Sequence, residues 1–286
     1  MPVTVPRLAV DLSSGLIRIV EGSMGGALRC GSGGTPEGSL VGGRILNPGA
    51  VAAALKQLLA RTEITETRAY VAVSDGIATF RVLKLPASAG DHEVSAAVAK
   101  ELPLNPERLG THWTDVRGIR EQRVVFAAAW DRMIIKNAIE AVKLAGLEAV
   151  VVELKSLCLA RTVSEPSCII VDLSSDPAEI ILVDGHLPYV WHNIDLKAPA
   201  GTDLVATLAS AMRSVIRFQK RRRDGDFGSR SPVLIAGEQM LPAEAVTRLS
   251  EQVGHPVLPL PLPPRVPAEV RHSTYLTCLG LIMRRT

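Results

Sequence analysis

One pentapeptide, Val-Asp-Leu-Ser-Ser, occurs twice in the chain, at 10–14 and at 171–175. Each copy lies between two apolar runs: LAVDLSSGLIRIVEG spans 8–22 and IIVDLSSDPAEIILVDG spans 169–185. Apolar runs on either side of a small polar turn are the pattern of a β-hairpin. The two aspartates, Asp11 and Asp172, are 161 positions apart, far beyond the roughly 20–50 residues of a stacked repeat. A chain of 286 residues with this spacing reads as two related halves, each opening on the same hairpin.

The flanking elements repeat the design. Leu8–Leu12, Leu16–Glu21 and Ala27–Cys30 form one three-stranded meander, and Cys168–Leu173, Ala178–Val183 and Leu187–Ile194 a second. Asn47-Pro48 opens a helix, Asn at the N-cap and Pro in the first turn, with an apolar stripe of Val51, Leu55, Leu58 and Leu59. Tyr70–Val73 is a short buried strand. Next come a strand Ile77–Leu85, a helix Asp91–Leu102 stopped by Pro103, and a hairpin of His112–Gly118 with Val124–Trp130. Asp131 caps a helix that turns Ile134, Ile135, Ala138, Ile139 and Val142 inward, and Leu147–Leu154 is an apolar strand. That β-α-β-β-α-β order is the ferredoxin-like signature, so an inserted subdomain is expected over 77–150. It leaves 1–76 with 151–166 as the first half, the short helix Lys155–Thr162 included, and 167–286 as the second.

In the second half a helix over 201–224 turns Leu204, Leu208, Ala211, Val215 and Phe218 inward, and Arg213, Arg217 and Lys220–Arg223 crowd its end. Val233–Gly237 and Val257–Leu260 are strands about the helix Ala243–Val253, followed by a proline-rich connector at 258–267. A final helix, Glu269–Arg284, turns Tyr275, Leu276, Leu279, Ile282 and Met283 inward.

Composition excludes several function classes. A net charge of +3 is too small to hold nucleic acid by bulk electrostatics, and 3% aromatics supply no stacking platform. Cys30, Cys158, Cys168 and Cys278 stand apart, with no CxxC and no histidine at ligand spacing, so they read as buried thiols and no metal site is expected. The glycines of 22–43 precede no Gly-Lys-Ser/Thr and read as turn residues. With no signal segment and no run of about 20 apolar residues, a soluble cytoplasmic chain is expected.

Several stretches, in order along nearly the whole chain, resemble the PilM family of type IV pilus assembly proteins, relatives of the division protein FtsA. They are LAVDLSSGLIRIVEG, VAVSDGIATFRVLKLPA with VSAAVAKELPLNPERL, AGLEAVVVELKSLCLAR, IIVDLSS, VLIAGEQMLP and TYLTCLGLIMR. The likeness extends to the cytoplasmic part of the type II secretion L protein. The resemblance implies an α/β, actin-like fold of duplicated halves, with the insert above and a second half reduced by a shortened insert over 198–230. In that superfamily the two hairpin turns cradle ATP phosphates and the aspartates hold the metal. Carried over, the nucleotide residues are Asp11, Ser13, Ser14, Asp172, Ser174 and Gly237.

The departures from the family pattern fall on those residues. Asp-x-Gly is replaced by Asp11-Leu12-Ser13 and Asp172-Leu173-Ser174, which put a Cβ where a phosphate would crowd it. Ala236-Gly237-Glu238 sets a carboxylate in the adenosine-side turn. Both aspartates also have a purely structural reading, as caps of their own hairpin amides.

The expected role is therefore a non-enzymatic cytoplasmic scaffold at the inner face of the membrane, with no catalytic residue and no cofactor. By resemblance it would dock the N-terminal cytoplasmic tail of a PilN-like membrane protein beside the insert. Arg81, Leu83, Leu85 and Pro86 stand for that surface, with core packing as the plainer reading of Leu83 and Leu85. Pilus ATPases and self-association are further candidate partners; membrane contact is expected to be indirect, and nucleic acid is not expected. The alternative is an ATP- and Mg²⁺-binding actin-like protein or ATPase with an atypical phosphate site. The cations of 217–223 suit an acidic partner, phospholipid headgroups or nucleic acid, or simply the negative pole of a helix.

Overall fold

The computed structural model describes residues 7–102, 105–116, 122–174, 177–196, 203–222 (backbone only at 219–222), 228, 230–237, 241–267, 270 and 273–284. Strands β1 (Arg7–Asp11), β2 (Leu16–Gly22) and β3 (Leu28–Gly34) make the first meander. A two-stranded ribbon, β4 (Leu40–Val41) with β5 (Arg44–Ile45), precedes helix α1 (Pro48–Arg61). The Asn47 side chain accepts from Ala50 N at 3.1 Å, as its N-cap position predicts. Strand β6 (Arg68–Val73) and a 3₁₀ turn at Asp75–Ile77 lead into β7 (Ala78–Pro86).

Helix α2 (Asp91–Glu101) and strands β8 (Leu109–Val116) and β9 (Gln122–Asp131) follow. Helix α3 (Arg132–Leu144), capped by Asp131 through Met133 N, precedes strand β10 (Glu148–Leu154) and helix α4 (Lys155–Thr162). The second meander is β11 (Ser167–Asp172), β12 (Ala178–Asp184) and β13 (Leu187–Ile194). Helix α5 (Leu204–Arg222), β14 (Val233–Ala236), α6 (Ala243–Val253), β15 (Val257–Pro259) and α7 (Leu276–Ile282) complete the described elements.

The duplication is visible in sheet order. One sheet runs β3-β2-β1-β6-β10 and the other β13-β12-β11-β14-β15. In each, the meander pairs antiparallel and two further strands add parallel to its first strand. A parallel partner needs a crossover, which α1 supplies before β6 and α5 before β14. Between β13 and β14 the described chain holds α5 alone, in keeping with a reduced second half.

Four sequence expectations are corrected. The inserted unit is not a βαββαβ domain over 77–150: its own sheet is β7-β9-β8 with α2, while β10 pairs parallel with β6 and α3 packs on α1. An apolar strand after a helix fits either sheet locally, and here the first half has the open edge beside β6. The second half likewise does not hold all of 167–286, because α7 packs against α4, β1, β2 and β6. That terminal helix is also shorter than 269–284: Ser273–Tyr275 is a 3₁₀ turn and α7 starts at Leu276, while 268–269 and 271–272 lie outside the described residues. Two stripe residues also face outward. Ile139 of α3 is 42% exposed and Phe218 of α5 is 49% exposed, and the α5 stripe is instead Val205, Leu208, Ala209, Met212, Val215 and Ile216.

Candidate functional site

The two hairpin turns are built alike from three residues each. Asp11 Oδ1 accepts from Ser13 N at 2.9 Å and from Ser13 Oγ at 2.5 Å. Asp172 Oδ1 accepts from Ser174 N at 2.8 Å and from Ser174 Oγ at 2.6 Å. Each aspartate thus closes its own turn, as short polar side chains readily do. Both are buried.

The strand register places Asp11 opposite Arg18 and Asp172 opposite Glu179. These are equivalent positions of the two hairpins with opposite charges. Arg18 lies 3.6 Å from Asp11 Oδ2 and donates to Ser14 Oγ (2.9 Å) and to Leu16 O. Its other arm reaches across to Ser174 O at 3.4 Å, so one guanidinium ties the first turn to the second.

At the second hairpin two carboxylates face each other, and the charge that reconciles them comes from α4. Lys155 Nζ lies 2.5 Å from Asp172 Oδ2 and 2.8 Å from Glu179 Oε2, with the side chain only 1% exposed. Lys155 is held above the ordinary lysine range by Asp172, Glu179 and Asp11, against the opposing effect of burial. Burial acts on Asp172 upward, and Lys155 and the Ser174 hydrogen bonds more than offset it, leaving the carboxyl below its usual value. Glu179 ends up raised, by burial first and Asp172 next.

A fourth buried carboxylate completes the cluster. Asp75, in the 3₁₀ turn before β7, accepts from Ser156 N at 2.8 Å and from Ser156 Oγ, and is fully buried. Burial and the charge of Glu179 push its carboxyl up to about 7. The pattern offered a signal for all four added residues. Arg18, Asp75, Lys155 and Glu179 are polar breaks in apolar stretches (LIRIV, AVSDG, VELKSL, AEIIL). Their convergence could not be read without the fold.

Of the nucleotide candidates, the structure brings Asp11, Ser13, Ser14, Asp172, Ser174 and Gly237 to one place. Gly237 has φ +115°, and a Cβ there would lie 2.6 Å from Ser174 N. Its bareness lets β14 end against the second turn, and its carbonyl accepts from Ser273 Oγ at 2.6 Å. Glu238 lies outside the described residues. The cleft is occupied by an ion cluster of the chain's own side chains, in which Arg18 Nε is a buried donor without a hydrogen bond. A metal ion at Asp172 would have to displace Lys155, and a phosphate at the turns would have to take the Ser13 and Ser174 amides from their aspartates.

A second feature borders the insert. An apolar groove of about 270 Å³ runs between the inner sheet of the insert and the edge strand β10. Phe126, Ala128 and Trp130 of β9 form one wall, Val151 and Val152 of β10 the other, and Leu157 of α4 lies alongside. Glu153 and Arg284 mark a charged end; Glu153 is already paired with Arg161 at 2.7 and 3.1 Å.

None of Arg81, Leu83, Leu85 and Pro86 lines this groove. Leu83 and Leu85 pack with Val94, Val98, Val125 and Ala127 beneath α2, while Ala78, Phe80 and Val82 face the first half. Alternation along β7 decides it, since residues two apart share a face. Those leucines belong to the face that supports the insert from within. Arg81 donates to the carbonyl of Phe80.

Comparison with solved structures bears on the whole architecture. A chain of the PilM–PilN type IV pilus biogenesis complex superposes with a TM-score of 0.74, covering 98% of this chain and 98% of that one at 19% identity. A Bacteroides thetaiotaomicron protein with an actin-like ATPase fold and unknown function gives 0.51, covering 99% and 97% at 10% identity. The fold is actin-like. The cytoplasmic domain of EpsL, an inner-membrane component of the Vibrio cholerae type II secretion system, shares this actin-like architecture at TM-score 0.50, 87% and 94% coverage and 12% identity. No protein-family model and no curated protein sequence matches the chain.

Proposed function

We propose that this actin-like chain is a cytoplasmic docking scaffold of a type IV pilus assembly machine, and not an ATPase. Its apolar groove takes a short extended tail of a PilN-like inner-membrane protein. The observation that carries the reading is the contrast between the two clefts. Where nucleotide would lie, the chain's own Arg18 and Lys155 hold the aspartates; between the insert and β10, an apolar channel stays open. The overall likeness to a chain from a PilM–PilN complex supports the same assignment.

An extended tail suits that channel on physical grounds. Strand β10 is an edge of its sheet and β8 an edge of the insert's sheet. Exposed edges offer main-chain hydrogen bonds, and alternate apolar side chains can fill pockets. Helix formation in so short a segment would instead carry the nucleation cost.

The test uses the full chain and a fluorescent peptide of the first residues of a one-pass membrane protein encoded beside it. Saturable binding that drops by at least roughly tenfold, about 1.4 kcal/mol, in Ala128→Arg is expected, with thermal unfolding unchanged. The paired measurement is calorimetric titration with Mg²⁺ and ATP, for which no saturable heat is expected. Micromolar nucleotide binding that is lost in Asp11→Ala would overturn the scaffold assignment in favour of an ATP-dependent actin-like protein.

A further inference from the structure

Helix α5 carries its charge unevenly. Asp203, just ahead of it, accepts from Val205 N at 3.0 Å and pairs with Arg248. From Leu204 to Arg222 there is no acid, whereas 213–222 contains Arg213, Arg217, Lys220, Arg221 and Arg222. These five cations exceed the net charge of the whole chain, +3, so the remainder is net negative at −2. Positions 213 and 217, spaced i and i+4, share one face of the helix. The core-facing side of α5 is the separate set Val205, Leu208, Ala209, Met212, Val215 and Ile216. Arg213 and Arg217 are exposed, and Phe218 next to them keeps 49% of its surface in solvent.

A cation or two in the last turn answers the helix dipole; five in ten residues is more than that accounts for. A large apolar ring among them adds a second requirement, an environment that is anionic and apolar within one side-chain length. A lipid leaflet has that profile: cations meet headgroup phosphates while an aromatic ring sinks to the acyl boundary. Nucleic acid would reward several stacking rings or a groove-shaped surface, and the chain is 3% aromatic. The negative remainder of the molecule would be repelled from the same leaflet, so attraction and repulsion together select one orientation.

We propose that the exposed side of the C-terminal half of α5 is a docking surface for an anionic lipid leaflet. It acts separately from the peptide groove, which is formed by other elements. Two weak attachments, one peptide and one electrostatic, then combine by effective concentration into a firmer one.

The experiment is flotation of the full chain, without any peptide, on vesicles of phosphatidylglycerol and phosphatidylcholine in roughly equal amounts, and on phosphatidylcholine alone. The chain is expected to float with the anionic vesicles only and to be released by salt. The double variant Arg213→Glu with Arg217→Glu is expected to lower the vesicle-bound fraction by about tenfold. Phe218→Ser is expected to abolish whatever binding survives at high salt, with the fold of both variants checked by far-ultraviolet circular dichroism. Ala128→Arg should float like the parent, which separates failure of this surface from failure of the groove. Equal binding to neutral vesicles, undiminished flotation of the double variant, or tighter binding to single-stranded DNA with no loss in Phe218→Ser would each overturn the proposal.

Discussion

Replacing Lys155 by methionine keeps much of the stem's volume and removes the charge that Asp172 and Glu179 share. Breaking a buried pair by removing one partner costs about 3–5 kcal/mol, because the survivor stays desolvated and unpaired. Lys155→Met is therefore expected to lower stability by about that amount in urea unfolding, and adding Glu179→Gln should recover part of the loss. Asp75 makes a different prediction. Its folded carboxyl titrates near 7 against an ordinary 3.8, so between those values the folded state holds a proton that the unfolded chain has released. This contribution to stability is complete below about pH 4 and is lost as pH rises through about 7, by up to about 1.4 kcal/mol per pH unit. Asp75→Asn cannot titrate, while its amide oxygen can still accept from Ser156 N. The slope between about pH 4 and about pH 7, followed by thermal melts, should flatten; an unchanged slope would assign it to another group.

At the scale of elements, the contact of α4 with α7 depends on one missing side chain. A Cβ at Gly280 would lie 2.1 Å from the carbonyl oxygen of Cys158, which is backbone and cannot swing aside. Arg161 Nη1 also donates to Gly280 O at 2.6 Å, so the two helices are pinned at the same point. Gly280→Ala is expected to cost about 3 kcal/mol by overpacking, read as a lower denaturant midpoint with the groove peptide still bound. Local patterns showed the elements themselves. The doubled hairpin, the Asn47 and Asp131 caps and the stripe of α1 were all legible, because capping and periodicity are short-range. The sheet to which β10 belongs was not, since VVVEL is equally apolar in either place and only its register with β6 decides. The groove residues were missed for a related reason: a strand packed on both sides gives no polar face by which to tell β7's two rows apart.

For the molecule as a whole, the ion cluster draws on β1, β2, the turn before β7, α4, β11 and β12, and so joins both halves to the base of the insert. A hinge that closes on a ligand needs turns that are free to part; here Arg18 already ties the two turns together. The expected result is that Mg²⁺ with ATP leaves the melting temperature unchanged, because stabilisation by a ligand requires binding to the folded state. The return of α7 has another consequence. Cys278 lies against the carbonyl of Arg18, 260 positions away, and buries one face of a sheet whose first strand left the ribosome long before. Until that helix emerges, Ala9, Val20 and Ala72 lack most of their cover on that side. The first half is thus begun early in synthesis and sealed late. A nascent chain halted anywhere in the second half would present an open apolar sheet to chaperones.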